Sequence, residues 1–399
     1  MWVDNVEVSM SGQNSGTALS GPGGFQFSGI VPGSDVTLTP EKVDDPLNGV
    51  TTFDLVLISK HILGVEALDS PYKIIAADAN RSNSVTTFDL VEIRKLILFV
   101  NDDFTNNSAW RFVDKNYVFP DPADPWLEDF PEVININNVP GDVLNADFTA
   151  IKVGDVNNSA TGDSFAGVDD RTTNGLLVFT VKDETVSAGQ TVNVTFEATG
   201  FAVSGFQFTL DFDPRVLTLA DIQPGLANAA NFGVAMSDVG ILTCSWNSDE
   251  VMSLPQGSPV FSLVFTTRQG GRLRELLHIN SRYTPAEAYS ASDANSHEVM
   301  DVALSFGETS VEPVFELYQN KPNPFRQTTT IAFNLPQASV ATLTLIDASG
   351  NIVKQVKREF AKGYNEVEID RNELGATGLF YYRLETSGNT AVRRAVLID

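Results

Sequence analysis

The sequence has little basic charge, three histidines, one cysteine and no long apolar run. Its 399 residues include 51 Asp and Glu against 26 Lys and Arg, a formal net charge of −25. Nucleic-acid binding needs clustered basic side chains, so this balance predicts no nucleic-acid partner. No stretch reaches the roughly 18 apolar residues that would indicate a membrane span. The acidity leaves two interpretations open, plain solubility or sites for divalent cations.

The single cysteine and the histidines give no indication of catalysis. Cys244 lies in the apolar run ILTCSW, which predicts a buried, unreactive thiol on a strand. A lone cysteine also excludes an internal disulfide framework. His61, His278 and His297 have no metal-ligand spacing and no plausible nucleophile near them in sequence. The sequence therefore predicts a protein that is not an enzyme.

Patterning along the chain predicts a mainly β, multidomain protein. Residues 1–41 alternate apolar and polar side chains between Gly-rich turns, which is typical of strands, and they resemble the last strands of prealbumin-like sandwiches. The opening MWVDNVEVSM lies within this pattern, so we expect further sequence and an export signal upstream. The predicted divisions are strands at 1–41, a helix pair at 42–104, a β-rich segment completing the N-terminal module at 105–160, a linker at 161–174, a β-sandwich at 175–307, a linker at 308–317 and a small immunoglobulin-like sandwich at 318–399.

An internal repeat marks the helical segment. TTFDLVLISKHIL (Thr51–Leu63) recurs 35 residues later as TTFDLVEIRKLIL (Thr86–Leu98). In each copy, Leu and Ile follow the i, i+3, i+7 spacing of an amphipathic helix. We therefore expect two helices that bury these stripes against one another: Leu55, Ile58 and Ile62 in the first, and Leu90, Ile93 and Ile97 in the second.

The stretch before the second helix, DANRSNSVTTFD, has the spacing of a twelve-residue calcium loop. Calcium binds six to eight oxygens at about 2.3–2.6 Å, and such a loop supplies them from alternate positions and from position 12. The alternative is an Asn/Asp/Ser turn that caps the helix. The predicted Ca²⁺ ligands are Asp78, Asn80, Ser82, the Ser84 carbonyl and Asp89, with Thr86 at position 9 binding directly or through water.

The corresponding loop before the first helix, VDDPLNGVTTFD, is weaker. Position 1 falls on Val43, although Asp54 keeps position 12. Asp44 and Asp45 could be displaced ligands only if the loop is remodelled around Pro46, and the alternative is a metal-free loop with an Asn-Gly turn. A third acidic stretch, GDVN with Asp155 and Asn157, preceded by Asp147, is interpreted as a strand cap in preference to a calcium site.

The two loop–helix units, each loop ending in Asp, resemble the type I dockerin family over residues 42–104. The resemblance implies bound calcium and a cohesin-type protein partner that faces loop positions 10 and 11. These positions are Thr52, Phe53, Thr87 and Phe88. Because the family often has small residues where this chain has Phe, we expect both rings to be buried against residues 105–160 instead.

Residues 176–305 resemble a cohesin-type sandwich. The motifs are TVSAGQTVNVTFEATGF, VSGFQFTLDFDPRVLTLADIQPG, GILTCSW and GSPVFSLVFTT. The resemblance implies a β-sandwich with an exposed sheet face that binds a protein. A spacer role stays open, as does carbohydrate binding, although no stripe of aromatic residues suited to sugar stacking is evident.

The last segment resembles the C-terminal sorting domain of type IX secretion cargo. Its motifs are LYQNKPNPF (Leu317–Phe325), TTIAFNLP, VATLTLIDASGNIV and GLFYYRLET. The resemblance implies export to the extracellular space or outer-membrane surface of a Gram-negative bacterium, and removal of the tag by a sortase near residues 308–317. The sorting-motif residues are Lys321, Pro322, Asn323, Pro324 and Phe325.

Together these features favour a non-catalytic, secreted or cell-surface calcium-binding scaffold or adhesin. Its dockerin-like and cohesin-like modules would bind each other, within one chain or between neighbours, and a head-to-tail contact between chains would build filaments. The alternative is the ancillary C-terminal region of a larger extracellular polysaccharide-degrading enzyme, with a carbohydrate-binding role.

Overall fold

The computed structural model describes residues 2–162, 175–198, 200–255, 258–293, 296–307, 315–320, 322–347, 350–361, 363–375 and 377–398. The chain divides into two compact units. The first unit comprises Met1–Asp170 and Gly175–Leu304, and the second comprises Arg171–Asn174 and Ser305–Asp399. The predicted linkers at 161–174 and 308–317 lie for the most part outside the described residues.

The N-terminal part of the first unit combines a small antiparallel sheet with three helices. Its sheet order is β2-β1-β3-β5, while β4 and β6 form a separate two-stranded ladder. Strand β5 comes from the 105–160 segment, so that segment adds an edge strand to the sheet of residues 1–41. The elements are β1 (Glu7–Gly12), β2 (Gly16–Leu19), β3 (Val36–Glu41), α1 (Thr52–Ile62), α2 (Pro71–Ala77), α3 (Thr87–Ile97), β4 (Trp110–Asp114), β5 (Ile134–Ile136) and β6 (Phe148–Lys152).

The two repeat helices, α1 and α3, form the helix pair, and each begins at the Thr that the repeat supplies. Thr51 and Thr86 are N-caps, and each forms a capping box with the Asp three residues later. The apolar stripes pack together with residues from the 105–160 segment, such as Val113 and Ile151. Full burial of each Leu or Ile contributes about 1.5–3 kcal/mol, so this shared core holds the pair in place.

The rest of the first unit is the large sandwich. Hydrogen bonding follows the order β11-β14-β9-β7-β18-β17-β10-β13-β12, with β16 also paired to β10, and β8 pairs separately with β15. The elements are β7 (Leu176–Val181), β8 (Thr185–Val186), β9 (Thr191–Ala198), β10 (Ala202–Phe212), β11 (Leu217–Pro224), β12 (Phe232–Gly233), β13 (Ile241–Ser253), β14 (Pro259–Thr267), β15 (Gly271–Arg272), α4 (Leu273–Leu276), β16 (Leu277–Asn280), β17 (Glu287–Asp293) and β18 (Ser296–Phe306), with 3-10 turns at Ala229–Asn231 and Ser237–Val239.

The core of the large sandwich is built from phenylalanine rings. Phe179 on β7 contacts Phe206 and Phe208 on β10 and Phe261 on β14, with ring centroids 5.3–5.8 Å apart. Such edge-to-face contacts are favourable beyond the area they bury. Cys244 on β13 is fully buried, which confirms the predicted buried thiol on a strand, and burial raises the pKa of this thiol well above its usual value.

The second unit is a small two-sheet sandwich with sheet orders β19-β20-β23 and β22-β21-β24-β25. Inward residues alternate with more exposed ones along strands such as β24, and the buried residues form an apolar cluster. The mainly β, multidomain class is therefore confirmed. The strands are β19 (Glu316–Leu317), β20 (Thr328–Leu335), β21 (Ser339–Asp347), β22 (Ile352–Phe360), β23 (Gly363–Asp370), β24 (Gly378–Glu385) and β25 (Thr390–Leu397), with a 3-10 turn at Arg371–Glu373.

Candidate functional site

The second loop, Asp78 to Asp89, wraps around two buried carboxylates. Asp78 accepts the N–H groups of Ser82 and Asn83 at 2.8 and 2.9 Å. Asp89 accepts the N–H of Asn80 at 3.1 Å. Both carboxylates have no exposed surface. The predicted ligands at positions 1, 3, 5 and 12 therefore lie together at one place.

One polar atom of this loop is left without a partner. The Asn80 Oδ1 atom is buried and accepts no hydrogen bond within the part of the chain that the structure describes. The Ser82 hydroxyl lies 3.2 Å from the Ser84 carbonyl oxygen, the position-7 oxygen of the loop. Burial raises the pKa of Asp78, and the negative charge of Asp89 adds to the effect, while the N–H donors of Ser82 and Asn83 oppose it.

The helix cap that the sequence offered as the alternative is also present. Asp89 Oδ2 accepts the N–H and the hydroxyl of Thr86 at 2.8 and 3.1 Å, which closes the capping box of α3. One carboxylate oxygen of Asp89 thus accepts hydrogen bonds from the N-cap residue of α3, and the other accepts one from the loop. The geometry therefore allows the same residue to cap the helix and to take part in a cation-binding loop.

Asp54, at the equivalent position of the first repeat, is paired with a distant stretch. Its Oδ1 accepts the N–H groups of Val156 and Asn157 at 2.9 and 3.3 Å. Burial raises the pKa of Asp54, with the neighbouring Asp155 carboxylate adding to the effect. Asp45 is exposed in a turn, and no hydrogen bond among the described residues joins it to Asp54.

Asp155 provides a second buried carboxylate next to that of Asp54. It accepts the N–H groups of Ser159 and Ala160 at 3.1 and 2.8 Å. The nearby Lys152 ammonium donates to the carbonyl of Pro46 at 2.6 Å. Burial lowers the pKa of Lys152 to about 8, and the surrounding carboxylates of Asp155, Asp45 and Asp54 act against that shift.

The candidate ligands in the two loops are not only Asp, Glu, His and Cys side chains. Over the residues that the structure describes, no three such side chains converge as a metal-binding group. Each candidate site instead combines two carboxylates with amide, hydroxyl and carbonyl oxygens, a donor set that suits a hard cation such as calcium.

The first turn of α1 lies against the large sandwich. The Thr52 N–H donates to Gln207 Oε1 at 2.8 Å, and the Thr52 hydroxyl lies 2.7 Å from the hydroxyl of Ser245. The first N–H groups of a helix have no partner inside the helix, so Gln207 satisfies one of them. All three side chains are buried. Buried polar groups that find partners indicate a specific contact. The Gln207 Nε2 atom is the exception, since it is buried without a partner among the described residues.

Phe53 completes this contact with an aromatic pair. Its ring is 5% exposed and packs on Tyr289 of β17, with centroids 5.5 Å apart. The expectation that Phe53 is buried is confirmed, but its partner is the large sandwich, so the expected contact with residues 105–160 is wrong. The strand face at Tyr289 offers an aromatic surface that the sequence pattern did not single out.

The C-terminal end of α3 meets the same sandwich. The hydroxyls of Thr243 and Thr284 donate to the carbonyl oxygens of Leu98 and Ile97 at 2.7 and 2.8 Å. The last carbonyls of a helix lack partners inside it, so these hydroxyls satisfy them. Between the helices, Asn247 donates to the Leu55 carbonyl and to the Ser59 hydroxyl and accepts from the Arg94 guanidinium.

The second copy of the docking residues lies outside this contact. Thr87 and Phe88 are exposed, and the Phe88 ring is 72% exposed. The expected burial of Phe88 is therefore wrong. The physical reason is the orientation of the pair: α1 contacts the sandwich with its first turn, whereas α3 contacts it with its last turn, so the first turn of α3 stays in solvent.

The sequence did not identify the sandwich residues of this contact. We call Gln207, Thr243, Ser245 and Asn247 the docking face. They lie on β10 and β13, where Gln207 pairs with Ser245, and they alternate with core residues such as Phe206 and Cys244. Alternation predicts a polar face towards solvent. In this protein part of that polar face is buried, because the helix pair covers it.

The sorting motif is part of the folded second unit. Phe325 is 1% exposed in its core, its N–H donates to the Val396 carbonyl at 3.0 Å, and the Ile398 N–H donates back to it at 2.9 Å. Asn323 Oδ1 accepts the Val396 N–H at 2.8 Å. Pro322 accepts from Thr329, and Pro324 follows a cis peptide bond. Lys321 lies outside the described residues.

Two modules of the chain match known families. Residues 177–266 match the cohesin domain model, and residues 321–398 match the secretion system C-terminal sorting domain model. Both are modules without catalytic activity. Among curated proteins no sequence matches the chain. No helix of the described residues is long and apolar enough to cross a membrane.

Solved structures similar to part of the chain include cohesins from three bacterial species. A type I cohesin from Pseudobacteroides cellulosolvens is 14% identical, covers 34% of this chain and 96% of its own, and has a TM-score of 0.26. A type I cohesin–dockerin complex from Clostridium thermocellum is 13% identical, with 35% and 94% covered and a TM-score of 0.22. A type II cohesin dyad from Acetivibrio cellulolyticus is 11% identical, with 56% and 78% covered and a TM-score of 0.24.

Proposed function

Because the chain carries a cohesin domain and a type IX secretion C-terminal sorting domain, we propose that it is a non-catalytic assembly protein of the cell surface whose own helix pair occupies the cohesin docking face. The cohesin domain implies protein–protein assembly, and the sorting domain implies export to the surface or the extracellular space. The observation that carries the proposal is the buried contact of Thr52 with Gln207 and Ser245.

The chemistry of the docking face favours a helix terminus as its partner. A buried polar group without a hydrogen bond costs about 1–3 kcal/mol, so burial of a polar face favours a partner that supplies most of its hydrogen bonds. The helix pair offers a free N–H at Thr52 and free carbonyls at Ile97 and Leu98, and Gln207, Thr243 and Thr284 match them. Donors and acceptors are complementary at both helix ends.

We propose that calcium occupies the second loop. The residues fit this ion: two buried carboxylates, oxygen donors at positions 1, 3, 5, 7 and 12, and the partnerless buried Oδ1 of Asn80. The ion would balance the charge of Asp78 and Asp89 and hold the loop against the first turn of α3. Its binding free energy would appear as folding stability because the ligands are scattered in the unfolded chain.

Calcium titration of the full chain tests the loop. We expect heat of binding in isothermal titration, loss of that heat for the second loop in Asp78→Asn with Asp89→Asn, and unchanged binding in the control Asp102→Asn, an exposed acid beyond α3. Absence of calcium uptake by the wild-type chain at millimolar concentration would reject calcium as the cofactor.

Self-assembly into filaments needs the docking face of one chain to accept the helix pair of another. In this structure the chain's own pair covers that face, so we expect monomers unless neighbouring chains exchange their pairs. Light scattering with calcium and with a chelator tests this. Monomers in both conditions exclude head-to-tail filaments, whereas calcium-dependent growth in mass would favour them.

We also propose that a sortase removes the sorting domain near residues 308–317, a segment that lies largely outside the described residues. Mass spectrometry of the chain recovered from the surface of a type IX-secreting host tests this proposal. A mature C-terminus within this segment is expected. Recovery of the intact chain, with Ile398 still present, would contradict it.

A further inference from the structure

We infer that the cation site of the first repeat is assembled from two distant stretches, in which Asp155, Asn157 and Ser159 replace the first half of the loop, and the Gly49 carbonyl and Asp54 supply the second half. The ligand is a hard divalent cation, calcium. This rests on the proposed calcium binding of the second loop, because the second loop provides the pattern that the split site repeats.

The first half of the split site repeats the hydrogen bonds that the position-1 carboxylate accepts in the second loop. In the second loop, the Asp78 carboxylate accepts the N–H groups four and five residues later, from Ser82 and Asn83. The Asp155 carboxylate likewise accepts the N–H groups four and five residues later. The residue at position 4 is left-handed in both, with φ of 58° at Arg81 and 58° at Asn158.

The junction between the two stretches also copies the second loop. There, the N–H at position 3 donates to the position-12 carboxylate, and the hydroxyl at position 5 donates to the position-7 carbonyl. In the split site the Asn157 N–H donates to Asp54 at 3.3 Å, and the Ser159 hydroxyl donates to the Gly49 carbonyl at 2.9 Å. Chain continuity is lost between positions 5 and 7, but the positions are kept.

Two observations bear on a ligand. In the second loop, whose pattern the split site repeats, the position-3 oxygen Asn80 Oδ1 is buried without a partner among the described residues, which leaves a coordinating atom to an ion. Its counterpart in the split site, Asn157 Oδ1, accepts the N–H of Ser159 at 2.9 Å. Asp54 and Asp155 are 0% and 4% exposed and adjoin one another, so two negative charges are buried together. The positive charge of Lys152 faces both carboxylates, and its ammonium donates to the Pro46 and Val153 carbonyls. One positive charge leaves the buried pair with a net negative charge, which a bound cation would compensate.

The contiguous loop of the first repeat does not offer this geometry. Its position 1 is Val43, which has no oxygen in its side chain, and Asp45 is exposed. The stretch from Asp155 to Ser159 reads DVNNS, which matches the DANRS of Asp78 to Ser82 in every side chain that ligates. The distant stretch therefore supplies what the local one lacks.

The split site ties the end of the N-terminal module to the docking helix. Asp54 lies in the first turn of α1, two residues after Thr52, whose N–H binds Gln207. A cation held jointly by Asp54 and Asp155 fixes residues 155–160 against the turn that contacts the cohesin domain. Calcium at this site thus supports docking, whereas calcium at the second loop supports α3.

Calcium chloride titrated into the metal-free full chain tests the inference by stoichiometry. The wild type is expected to bind two ions per chain, and the near-isosteric variants Asp155→Asn and Asp54→Asn one ion each. Asp147→Asn is the matched control, because this nearby acid pairs with Lys115 outside the site, and it keeps both ions. Circular dichroism is used to check that each variant is folded.

Each of the other possible outcomes would overturn the inference. Loss of an ion in Asp45→Asn but not in Asp155→Asn assigns the site to the contiguous loop and overturns the inference alone. A single ion, lost in Asp78→Asn, also overturns the inference and leaves the second loop intact. No ion at all overturns both the split site and the proposed calcium binding.

Hydrogen exchange on the wild-type chain gives a second readout that needs no variant. The amides of Val156, Ser159 and Ala160 donate to the two carboxylates of the split site. They are expected to exchange at least tenfold more slowly with calcium than with a chelator. Equal exchange rates in the two conditions would overturn the inference.

Discussion

At the residue scale, the repeat places the same Thr-Phe dipeptide in two opposite environments. Phe53 is buried against Tyr289, whereas Phe88, at the same repeat position, is exposed. The two rings have the same sequence context, TTFDLV, so their difference comes only from what the fold places next to them. This makes Phe88 a matched control for Phe53.

Phe53→Ala is expected to lower the free energy of unfolding of the first unit by about 3–5 kcal/mol, because it deletes a buried ring and leaves a cavity beside Tyr289. Phe88→Ala is expected to change it by no more than about 0.5 kcal/mol, as for other exposed side chains. Urea unfolding measures both. Equal losses in the two variants would show that Phe53 does not carry the docking contact.

His61 gives a pH dependence with a defined sign. Its Nδ1 accepts the Leu68 N–H at 3.2 Å, and burial lowers the pKa of its ring below the usual 6.5. The folded chain therefore binds fewer protons than the unfolded chain just below pH 6.5, so stability is lost as the pH falls from 6.5 towards the folded pKa. Stability is regained above pH 6.5.

An NMR titration of the His61 ring measures this pKa directly, and a folded-state value at or above 6.5 would contradict the assignment. Unfolding at pH 8 and pH 5.5 provides the linked measurement. The drop in stability between the two is expected to be smaller in His61→Gln, which cannot take up the proton, than in the wild type.

At the element scale, the sequence predicted the helices but could not predict which of their ends dock. The i, i+3, i+7 stripes and the Thr-x-x-Asp caps correctly located α1 and α3, because these signals are local. The docking face depends on which strands the helices meet, more than 140 residues away in the chain. Local patterning carries no information about such contacts.

The recurrence of DANRS at Asp78 as DVNNS at Asp155 was the available signal for the split site. By itself this stretch holds only the first half of a loop, so the sequence alone does not separate a cation site from the strand cap that it favours. The missing half, from Gly49 to Asp54, precedes it by about a hundred residues, and only the fold brings the two halves together.

Gly233 tests the approach of α3. A Cβ atom at this position would stand 2.1 Å from the Leu98 carbonyl oxygen and 2.3 Å from the Thr243 hydroxyl. Gly233→Ala is therefore expected to push the end of α3 off the sandwich and cost about 1–3 kcal/mol or more. Gly23→Ala, where nothing lies within 4 Å of the added atom, is the control.

Thermal unfolding of the two glycine variants gives the comparison. A lower midpoint in Gly233→Ala with an unchanged midpoint in Gly23→Ala is expected. An unchanged midpoint in both would mean that α3 can move away from β12 without loss, and so that its last turn does not contribute to docking.

At the scale of the whole molecule, calcium binding and docking should be linked. Ions that bind the folded loops but not the unfolded chain stabilise the fold, by about 2.7 kcal/mol when the ion is at a hundred times its dissociation constant. Asp54 and Asp89 lie in the first turns of the two helices that contact the cohesin domain. Removing the ion should therefore weaken the intramolecular contact as well as the loops.

The most direct test of the account is to cut the chain between Gly162 and Gly175. A protease site is inserted there in the full chain, the chain is nicked, and size-exclusion chromatography with light scattering follows the two fragments. The account predicts that the fragment ending near Gly162 stays bound to the fragment with the cohesin domain in calcium, and leaves it when a chelator or Phe53→Ala is present. Fragments that separate at once in calcium would contradict it.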